Sequence, residues 1–440
     1  MRGLGCLLAW ALGGPLSALG AVHGVPAEFS TIADAIAAAG PGDTVWVSPG
    51  TWPGSFSLSV PEIVVSGSVG DAGAVVIPLY PGQPPVRVEP KVGNVRIQWM
   101  RFVGSGRAED SLAVALDVEG GSPLLWGTEW IATGEADSVG VRLAGAAEAE
   151  FDQCKLSGYG TNLWVATVRD RTTRVMGSVS SRARVDGIRV ESGRLGVEQS
   201  ALVRNGQSGA LVRSPRAWVD IGQSVLAENG FYGLEVADQG KARIRESQLV
   251  GNRMGIWSSG HTLVLAEDLR IVNNPSEGIH LGEGGELRAE GLLIWNNGPP
   301  GIHVTTGAVA RVDGCTIVDN REGVLARHRG ELYMHNCILS DNWEFGARVL
   351  DPGSVLRLRY TDVWASDVLV YGDVEIGPGV FYEPPRFLAP RQTDFSLSAK
   401  SPCIDAGDIK RKDEDGTRLD VGARPYRFQR GATDLLEGGR

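Results

Sequence analysis

The chain has 440 residues, of which 60 are glycine, and only 7% are aromatic and 21% are charged. This length would hold two or three ordinary domains unless the chain forms one elongated array of repeats. The formal net charge of -10 and the sequence pI near 5.3 argue against a general phosphate-binding surface, because nucleic acid attracts proteins with excess lysine and arginine. We therefore expect no nucleic-acid partner.

The first 24 residues have the pattern of a secretory signal peptide. Arg2 supplies a positive charge at the start, residues 4–19 are apolar or small, and small residues continue toward Val25. The alternative is a buried N-terminal helix. No other apolar run approaches the roughly 20 residues that a membrane span needs. The sequence therefore predicts a secreted or cell-envelope protein with no membrane span in the mature chain.

A short helix is predicted directly after this segment. Thr31 or Ser30 can cap its start, Gly40 and Pro41 end it, and a strand begins at Val45. The apolar face of this helix is formed by Ile32, Ala35, Ile36 and Ala39. A helix ahead of a long β array can cover the open end of that array, where strand edges and core would otherwise be exposed.

The residues from Phe29 to Trp52 closely resemble the N-terminal cap of bacterial secreted right-handed parallel β-helix proteins. In that family a phrase of the form TI-AI--A-PGD-V-V-PGTY leads into the first coil, and Trp52 stands here where the family usually has tyrosine. The resemblance covers roughly residues 27–425. It implies a parallel β-helix of the pectin-lyase-like superfamily.

One phrase recurs seven times between residues 204 and 348: an asparagine, a gap of two or three residues, and a glycine followed by a small or apolar residue. Successive asparagines are 24, 23, 22, 23, 23 and 22 residues apart, a period typical of stacked-repeat proteins. The asparagines are Asn205, Asn229, Asn252, Asn274, Asn297, Asn320 and Asn342.

Each repeat contains three pairs of mostly apolar residues, and the two members of each pair are two positions apart. This spacing is that of a strand whose alternate side chains face inward. A leucine-rich repeat has a similar period, but it has one strand per turn, whereas three strand-like pairs fill every repeat here. With the resemblance, the pattern predicts an all-β fold: a right-handed parallel β-helix with three short strands per 22–24-residue coil and a short N-terminal capping helix.

We predict that the repeated asparagines have a structural role rather than a ligand-binding one. A bend between strands needs a residue that tolerates the left-handed backbone region, which asparagine does better than most residues. Its amide can also bond to the amide one coil away, at the strand spacing of about 4.8 Å. The expected result is a ladder of amides along the array.

The C-terminal phrase SPCIDAGD, residues 401–408, and the acidic phrase over residues 413–423 resemble the C-terminal phrases of the same secreted family. Cys403 replaces the usual alanine, and Arg424-Pro425 interrupts the usual final acidic position. Residues 413–416 lack the twelve-residue ligand pattern of an EF-hand, so a closing cap is expected instead.

The predicted division of the chain has three parts. It places a signal peptide at residues 1–24, the β-helix with its N-terminal cap and C-terminal closing segment at 25–425, and a tail at 426–440.

The outward residues of the first strand in each coil offer one candidate site. Glu267, Glu290 and Asp313 occupy the same outward position in successive coils, about one strand spacing apart. Carboxylates at this distance repel one another unless a cation or an arginine intervenes. The residues around them therefore leave two interpretations open, a metal or catalytic site and a charge-balanced surface.

Resemblance to β-helix polysaccharide lyases gives the first interpretation its chemistry. It implies that the three carboxylates hold Ca²⁺ against an acidic sugar, that Arg288 or Arg311 clamps the sugar carboxylate, and that Tyr333 or His335 removes a proton. In the second interpretation, which we favour, Arg288 beside Glu290 and Arg311 beside Asp313 compensate charge on a solvated face.

A second outward row, in the strand after each glycine, is the candidate binding surface. Trp257, His280 and His303 occupy it in three successive coils, with Trp164 earlier in phase. An exposed tryptophan on a rigid face can stack on a sugar ring, although loops that cover these rings would give them a structural role. Two histidines alone make a weak metal site without a third ligand.

These patterns predict an exported β-helix that binds or presents polysaccharide at the cell surface or outside the cell, without catalytic activity. One alternative is a Ca²⁺-dependent polysaccharide lyase or hydrolase, and another is an adhesion or envelope scaffold that binds protein. No cofactor is expected, and Ca²⁺ is the one ion that the acidic row suggests.

Overall fold

The computed structural model describes residues 20–80, 82–90, 92–104, 114–133, 138–168, 171–413 and 416–423. Most of the predicted signal peptide, Arg424-Pro425 and the predicted tail over residues 426–440 lie outside these ranges. The strand Val22–Val25 pairs in parallel with Thr44–Val47, so β-structure begins within the last residues assigned to the signal peptide.

Three parallel sheets, which we name A, B and C, run along the molecule. The chain visits them in that order in each coil, and each strand pairs with the equivalent strand one coil away. The strand Ile188–Glu198 passes from sheet C into sheet A without a break. This arrangement confirms the predicted right-handed parallel β-helix with three strands per coil.

The strands are short in all three sheets, and Ile188–Glu198 belongs to both A and C. Sheet A contains Val22–Val25, Thr44–Val47, Val64–Ser66, Arg96–Gln98, Leu124–Trp126, Glu150–Asp152, Thr172–Met176, Ile188–Glu198, Ala217–Gly222, Lys241–Arg245, Leu263–Glu267, Glu286–Glu290, Val309–Asp313, Glu331–His335, Val355–Arg359 and Val374–Ile376. Sheet B contains Gly50–Thr51, Val75–Leu79, Arg101–Gly104, Glu129–Ala132, Lys155–Ser157, Val179–Ser181, Ala201–Val203, Val225–Ala227, Gln248–Val250, Arg270–Val272, Leu293–Trp295, Thr316–Val318, Ile338–Ser340 and Asp362–Trp364. Sheet C contains Ser57–Leu58, Val86–Val88, Val114–Val118, Val139–Gly145, Thr161–Thr167, Ile188–Glu198, Ser208–Arg213, Tyr232–Ala237, Met254–Ser259, Ile279–Leu281, Ile302–Val304, Glu322–Ala326, Phe345–Val349 and Val368–Tyr371.

The predicted N-terminal helix is Ile32–Ala38. Thr31 caps it, because its hydroxyl accepts a hydrogen bond from the Asp34 N–H at 3.1 Å. Three of its four predicted apolar residues, Ile32, Ala35 and Ile36, are buried in the main core. Among the described residues, no helix has the length and apolar character that crossing a membrane requires.

Short irregular elements complete the fold. In the described ranges these are two 3₁₀ turns and one antiparallel strand pair, with the bounds Ala72–Ala74, Pro390–Gln392, Phe387–Ala389 and Asp394–Leu397.

One continuous apolar core fills the interior of the coils from Val25 to Val363. It is built from the inward residues of all three sheets, as the two-residue spacing predicts. In the early, irregular coils the core holds large rings, and Phe102 stacks on Trp130 with 3.8 Å between ring centroids. The later, regular coils are filled mostly by valine, leucine, isoleucine and alanine.

The repeated asparagines are buried and form a ladder along the molecule. The Asn274 side-chain amide donates to Asn297 Oδ1 at 2.8 Å, and Asn297 donates to Asn320 Oδ1 at 3.0 Å. The same oxygen also accepts the backbone N–H of the preceding asparagine, as from Asn252 to Asn274 at 3.0 Å. Each amide therefore joins two coils through both main chain and side chain.

None of the seven asparagines has the left-handed backbone conformation, so the prediction that they adopt it at the bend is wrong. This conformation lies on the residue immediately before each of them, for example Glu228 with φ of 55° and Asp319 with φ of 55°. Most of these residues are not glycine, so they bear a backbone cost that the pairing between coils offsets. The asparagine is required for its buried amide.

The glycine of the repeated phrase is required for close approach between coils. A Cβ at Gly255 would lie 2.5 Å from the carbonyl oxygen of Gly278, which occupies the same position in the next coil. The equivalent contact at Gly323 would be 2.4 Å, to Gly346. Because real Cβ atoms do not approach oxygen this closely, any other residue would push the coils apart at this corner.

The C-terminal segment, which is expected to close the array, packs along the outside of several coils, where Cys403 and Val421 bury the outward side chain of Ile338. The Asp408 N–H donates to Asn336 Oδ1 at 2.7 Å, and the Ala423 N–H donates to a threonine hydroxyl of sheet B. This segment therefore covers the corner between sheets A and B.

The amide ladder generates a stability prediction at Asn274. Alanine there removes its hydrogen bonds to both neighbouring coils and leaves the Asn252 N–H buried without its acceptor. Since an orphaned buried polar group costs about 1–3 kcal/mol, we expect Asn274→Ala to lower the free energy of unfolding by about 2–4 kcal/mol in chemical denaturation. The control is Lys241→Ala, an exposed position, and equal losses in both variants would contradict the structural role.

Candidate functional site

The structure brings together all seven residues that the sequence singles out around the acidic row. They line one cavity of about 580 Å³ on the outer face of sheet A. The seven are Glu267, Arg288, Glu290, Arg311, Asp313, Tyr333 and His335. Their shared face follows from strand register, which places Glu267, Glu290 and Asp313 opposite one another in consecutive coils.

Each carboxylate of the sheet A cavity has an arginine partner. Arg243 Nη2 lies 2.9 Å from Glu267 Oε2. Arg411, which comes from the C-terminal segment, forms an ion pair with Asp313 and lies 3.7 Å from Glu290 Oε1. The repulsion expected within the acidic row is therefore relieved by cationic side chains of the chain itself.

The predicted pairings of the two arginines in this cavity are wrong. Arg288 Nε donates to Glu286 at 2.9 Å, and Arg311 Nη1 lies 3.7 Å from the same carboxylate. Neither is the partner of Glu290 or Asp313, because Glu286 is nearer on the same sheet face. Charge is balanced on this surface, but through residues that the spacing did not indicate.

The two candidate bases of the sheet A cavity have other partners. The Tyr333 hydroxyl donates to Glu331 Oε2 at 2.8 Å. This hydrogen bond, followed by burial, raises the pKa of Tyr333, so the phenol is harder to deprotonate. His335 Nε2 lies 3.5 Å from Asp408 Oδ2 in the C-terminal segment. Both side chains are thus held by neighbouring carboxylates.

The second outward row runs along sheet C in continuous register. It comprises Arg142, Trp164, Arg189, Leu211, Glu235, Trp257, His280, His303, Leu325, Arg348 and Tyr371. We call this row, with the side chains that contact it, the sheet C stripe. Three of the four predicted binding residues are adjacent in it.

An aromatic stack occupies the middle of the sheet C stripe. The Trp257 ring packs between Tyr232, at 5.5 Å between centroids, and His280, at 6.4 Å. His303 meets His280 edge-on at 4.9 Å. Trp164 lies four coils from Trp257, or about 19 Å at the usual strand spacing, so it stands apart from this stack.

Trp164 instead belongs to a charged group of its own. Its indole N–H donates to Glu191 Oε2 at 3.1 Å, and Arg189 binds the same glutamate and lies over the indole ring. This group lies in the early part of the sheet C stripe, one coil after Arg142.

Glu277 joins the two histidines, and the sequence interpretation missed it. Its oxygens lie 2.6 Å from His280 Nδ1 and 2.9 Å from His303 Nδ1. Burial alone would raise the pKa of Glu277, but the hydrogen bonds from both rings outweigh it and lower the pKa to about 2. Glu277 is therefore ionised at neutral pH and accepts a hydrogen from each ring.

The sequence could have indicated Glu277, because this residue lies one position before the glycine of its repeat. Tyr232 holds the equivalent outward position two coils earlier, and Glu322 holds it two coils later. The predicted binding row, which contains His280, lies three residues further along the chain. A side chain from one outward row can reach the next, and spacing within a single row does not reveal that contact.

The Glu277, His280 and His303 group satisfies the distance requirement for a metal site, because its ligand atoms lie within 4.8 Å of one another. Its surroundings do not fit one. Arg327 Nε donates to His303 Nε2 at 2.9 Å, whereas a metal-ligating histidine normally donates its second ring N–H to an acceptor. The arrangement is a hydrogen-bonded charge network that holds Glu277 and orients His280.

A second buried carboxylate lies four coils earlier, beside the sheet C stripe. The Asp186 side chain is 1% exposed and accepts the Ser208 N–H at 3.3 Å. The Ser208 hydroxyl donates to Glu235 Oε2 at 2.5 Å, so one serine links the two acids. Burial, and then the charge of Glu235, raises the pKa of Asp186 to about 6.

Comparison with known proteins agrees with this fold. The family model described as "Right handed beta helix region" matches residues 208–359, which span most of the regular coils. The chain is a right-handed parallel β-helix, and its regular coils match the model of that family. A comparison with curated proteins finds no match.

Solved structures of similar fold include polysaccharide-acting enzymes. Pectate lyase Pel9A is 13% identical over 92% of this β-helix chain and 95% of its own, with a TM-score of 0.46. The A-module of Azotobacter vinelandii mannuronan C-5 epimerase AlgE6 is 13% identical over 80% and 93%, with a TM-score of 0.40. The periplasmic alginate epimerase AlgG is 12% identical over 78% and 84%, with a TM-score of 0.42. Each likeness concerns the fold alone.

The raised pKa of Asp186 predicts a pH-dependent stability difference. The folded β-helix retains this proton up to about pH 6, whereas the unfolded chain releases it near the ordinary value of 3.8. Ionisation therefore destabilises the fold increasingly from pH 3.8 to about 6 and by a constant amount above that.

We expect the free energy of unfolding of Asp186→Asn, relative to that of the parent protein, to rise by about 2–3 kcal/mol between pH 4 and pH 8. Thermal unfolding at each pH measures this difference. The matched control is Asp238→Asn at an exposed carboxylate. A stability difference for Asp186→Asn that does not change with pH would contradict this assignment.

Proposed function

We propose that the protein is an exported, non-enzymatic polysaccharide-binding β-helix, and that the sheet C stripe is its binding surface. The observation that carries the proposal is the aromatic stack of Tyr232, Trp257 and His280 in the middle of that stripe. Trp164, His280 and His303 belong to the same proposed surface.

The stack suits a repeating ligand. Its side chains are fixed by strand pairing at a constant spacing of about 4.8 Å, so successive coils present contacts at regular intervals. Stacked rings offer apolar contact with little further loss of conformational entropy on binding. Carboxylates beside the rings, among them Glu235 and Glu277, supply acceptors for sugar hydroxyl groups.

Export and location outside the cell are part of the proposal. They rest on the N-terminal sequence, in which a positive residue precedes an apolar run and small residues. A polysaccharide or another cell-envelope component is the proposed partner.

No cofactor is included in the proposal. Ca²⁺ at Glu267, Glu290 and Asp313 would have to compete with Arg243 and Arg411, which already neutralise those carboxylates. Arg288, Arg311, Tyr333 and His335 remain the lining of the sheet A cavity rather than a proposed catalytic set.

The proposed surface predicts the effect of removing the central ring. We expect Trp257→Ala to weaken retention on the polysaccharides that the parent protein binds by about tenfold, because a buried aromatic contact typically contributes more than 1 kcal/mol. Affinity electrophoresis on a glycan panel measures this, with the unfolding temperature as a check on folding.

Trp343→Ala is the matched control, because Trp343 is 63% exposed and lies outside the stripe. Equal retention of Trp257→Ala and the parent protein would exclude the sheet C stripe as the binding surface.

A second candidate function is proton transfer on a bound polysaccharide. It is favoured by the contact between Glu277 and His280 Nδ1, which leaves His280 Nε2 able to accept a proton. Polysaccharide lyases work by such a proton abstraction, and hydrolases likewise need an acid and a base.

The two candidates are separated by product formation. From the binding function we expect neither unsaturated sugar products nor new reducing ends when the purified protein is incubated with acidic and neutral polysaccharides, with or without Ca²⁺. Product that disappears in His280→Ala would establish the enzyme instead, and product that persists in this variant would point to the sheet A cavity.

A further inference from the structure

Four carboxylates on or beside the sheet C stripe have no lysine or arginine partner, and we call them the acidic quartet. They are Asp186, Glu235, Glu277 and Glu283. Within the part of the chain that the structure describes, no lysine or arginine nitrogen lies within 4.0 Å of any of them. Serine hydroxyls, a peptide N–H and two imidazoles are their partners, as in the 2.9 Å bond from Ser259 to Glu283.

Other acids on the same face are paired with arginine. The pairs are Asp117–Arg142, Glu191–Arg189 and Glu322–Arg348. Arginines close to the acidic quartet have other partners: Arg253 lies over the Phe231 ring, Arg327 donates to His303, and Arg189 is paired with Glu191. Negative charge is therefore left uncompensated beside the aromatic stack.

One member of the acidic quartet lacks a hydrogen bond that burial demands. Asp186 is 1% exposed, and its Oδ2 atom has no hydrogen-bond partner. Leaving a buried carboxylate oxygen unpaired is costly, and positive charge nearby lowers that cost even though a ligand cannot contact a group that is 1% exposed. The neighbouring faces of Tyr232 and Trp257 also attract cations.

We propose that the sheet C stripe selects polysaccharides that carry free amino groups, protonated in mildly acidic solution, and rejects polyuronates. This inference rests on the proposed polysaccharide-binding function. Ammonium groups on alternate or successive sugars would meet carboxylates at Glu235, Glu277 and Glu283. A polyuronate would bring like charges against the same residues, and the net charge of -10 adds to that repulsion.

The experiment compares hexameric ligands of different charge. Calorimetric titration of the full-length protein at pH 6.0 uses a glucosamine hexamer, its fully N-acetylated form, a galacturonate hexamer and a lysine hexapeptide. We expect the glucosamine hexamer to bind at least tenfold more tightly than each of the others, and its affinity to fall as salt is raised.

Two double variants separate a specific site from general attraction to an acidic protein. Glu235→Gln with Glu283→Gln removes two charges from the stripe, and we expect about tenfold weaker binding of the glucosamine hexamer. Glu148→Gln with Glu150→Gln removes the same charge from sheet A, where both acids pair with arginine, and should leave the affinity unchanged.

The outcomes distinguish this inference from the function on which it rests. Equal binding of the acetylated hexamer, tighter binding of galacturonate, equal binding of the peptide, or equal effects of the two double variants would overturn amino-sugar selection. Loss of every glycan interaction, together with no effect of Trp257→Ala, would overturn the binding function itself.

Discussion

The whole molecule depends on parallel pairing between one coil and the next, and the buried amide ladder fixes that pairing at its tightest corner. Each asparagine binds main chain and side chain of the adjacent coil, and each following glycine allows the backbones to approach. A shift of one residue in any coil would break both contacts and turn the apolar residues outward. In the coils from Asn205 to Asn342 the ladder thereby fixes the register of the side chains on all three faces.

Fixed register produces different surfaces on sheets A and C. On sheet A the acidic row is compensated by Arg243 from a preceding coil and by Arg411 from the C-terminal segment. On sheet C, histidines and serines take the place of arginine around Glu277 and Asp186, so negative charge persists beside aromatic rings. The same scaffold thus carries one face whose acidic row is neutralised by arginine and one face on which some carboxylates have no arginine partner.

Much of the fold was predictable because its determinants are local. The two-residue alternation and the recurrence of asparagine are properties of neighbouring residues, and both correctly indicated the strands and the coil length. The partner of Asp313 was not predictable, because Arg411 lies 98 residues away and reaches it through an irregular segment. Glu277 escaped notice because its side chain crosses from one outward row to another. The left-handed residue escaped notice because several residue types occupy that position.

The joint between coils is the same at every step of the regular region, and this gives the protein an adjustable length. Insertion or removal of one coil would leave each remaining amide contact chemically unchanged, since Asn252 meets Asn274 as Asn274 meets Asn297. The extent of the outer surface therefore changes in whole coils of about 4.8 Å, independently of the core. The length of the surface could therefore be matched to a ligand of repeated units by adding or removing coils, without any change in the core.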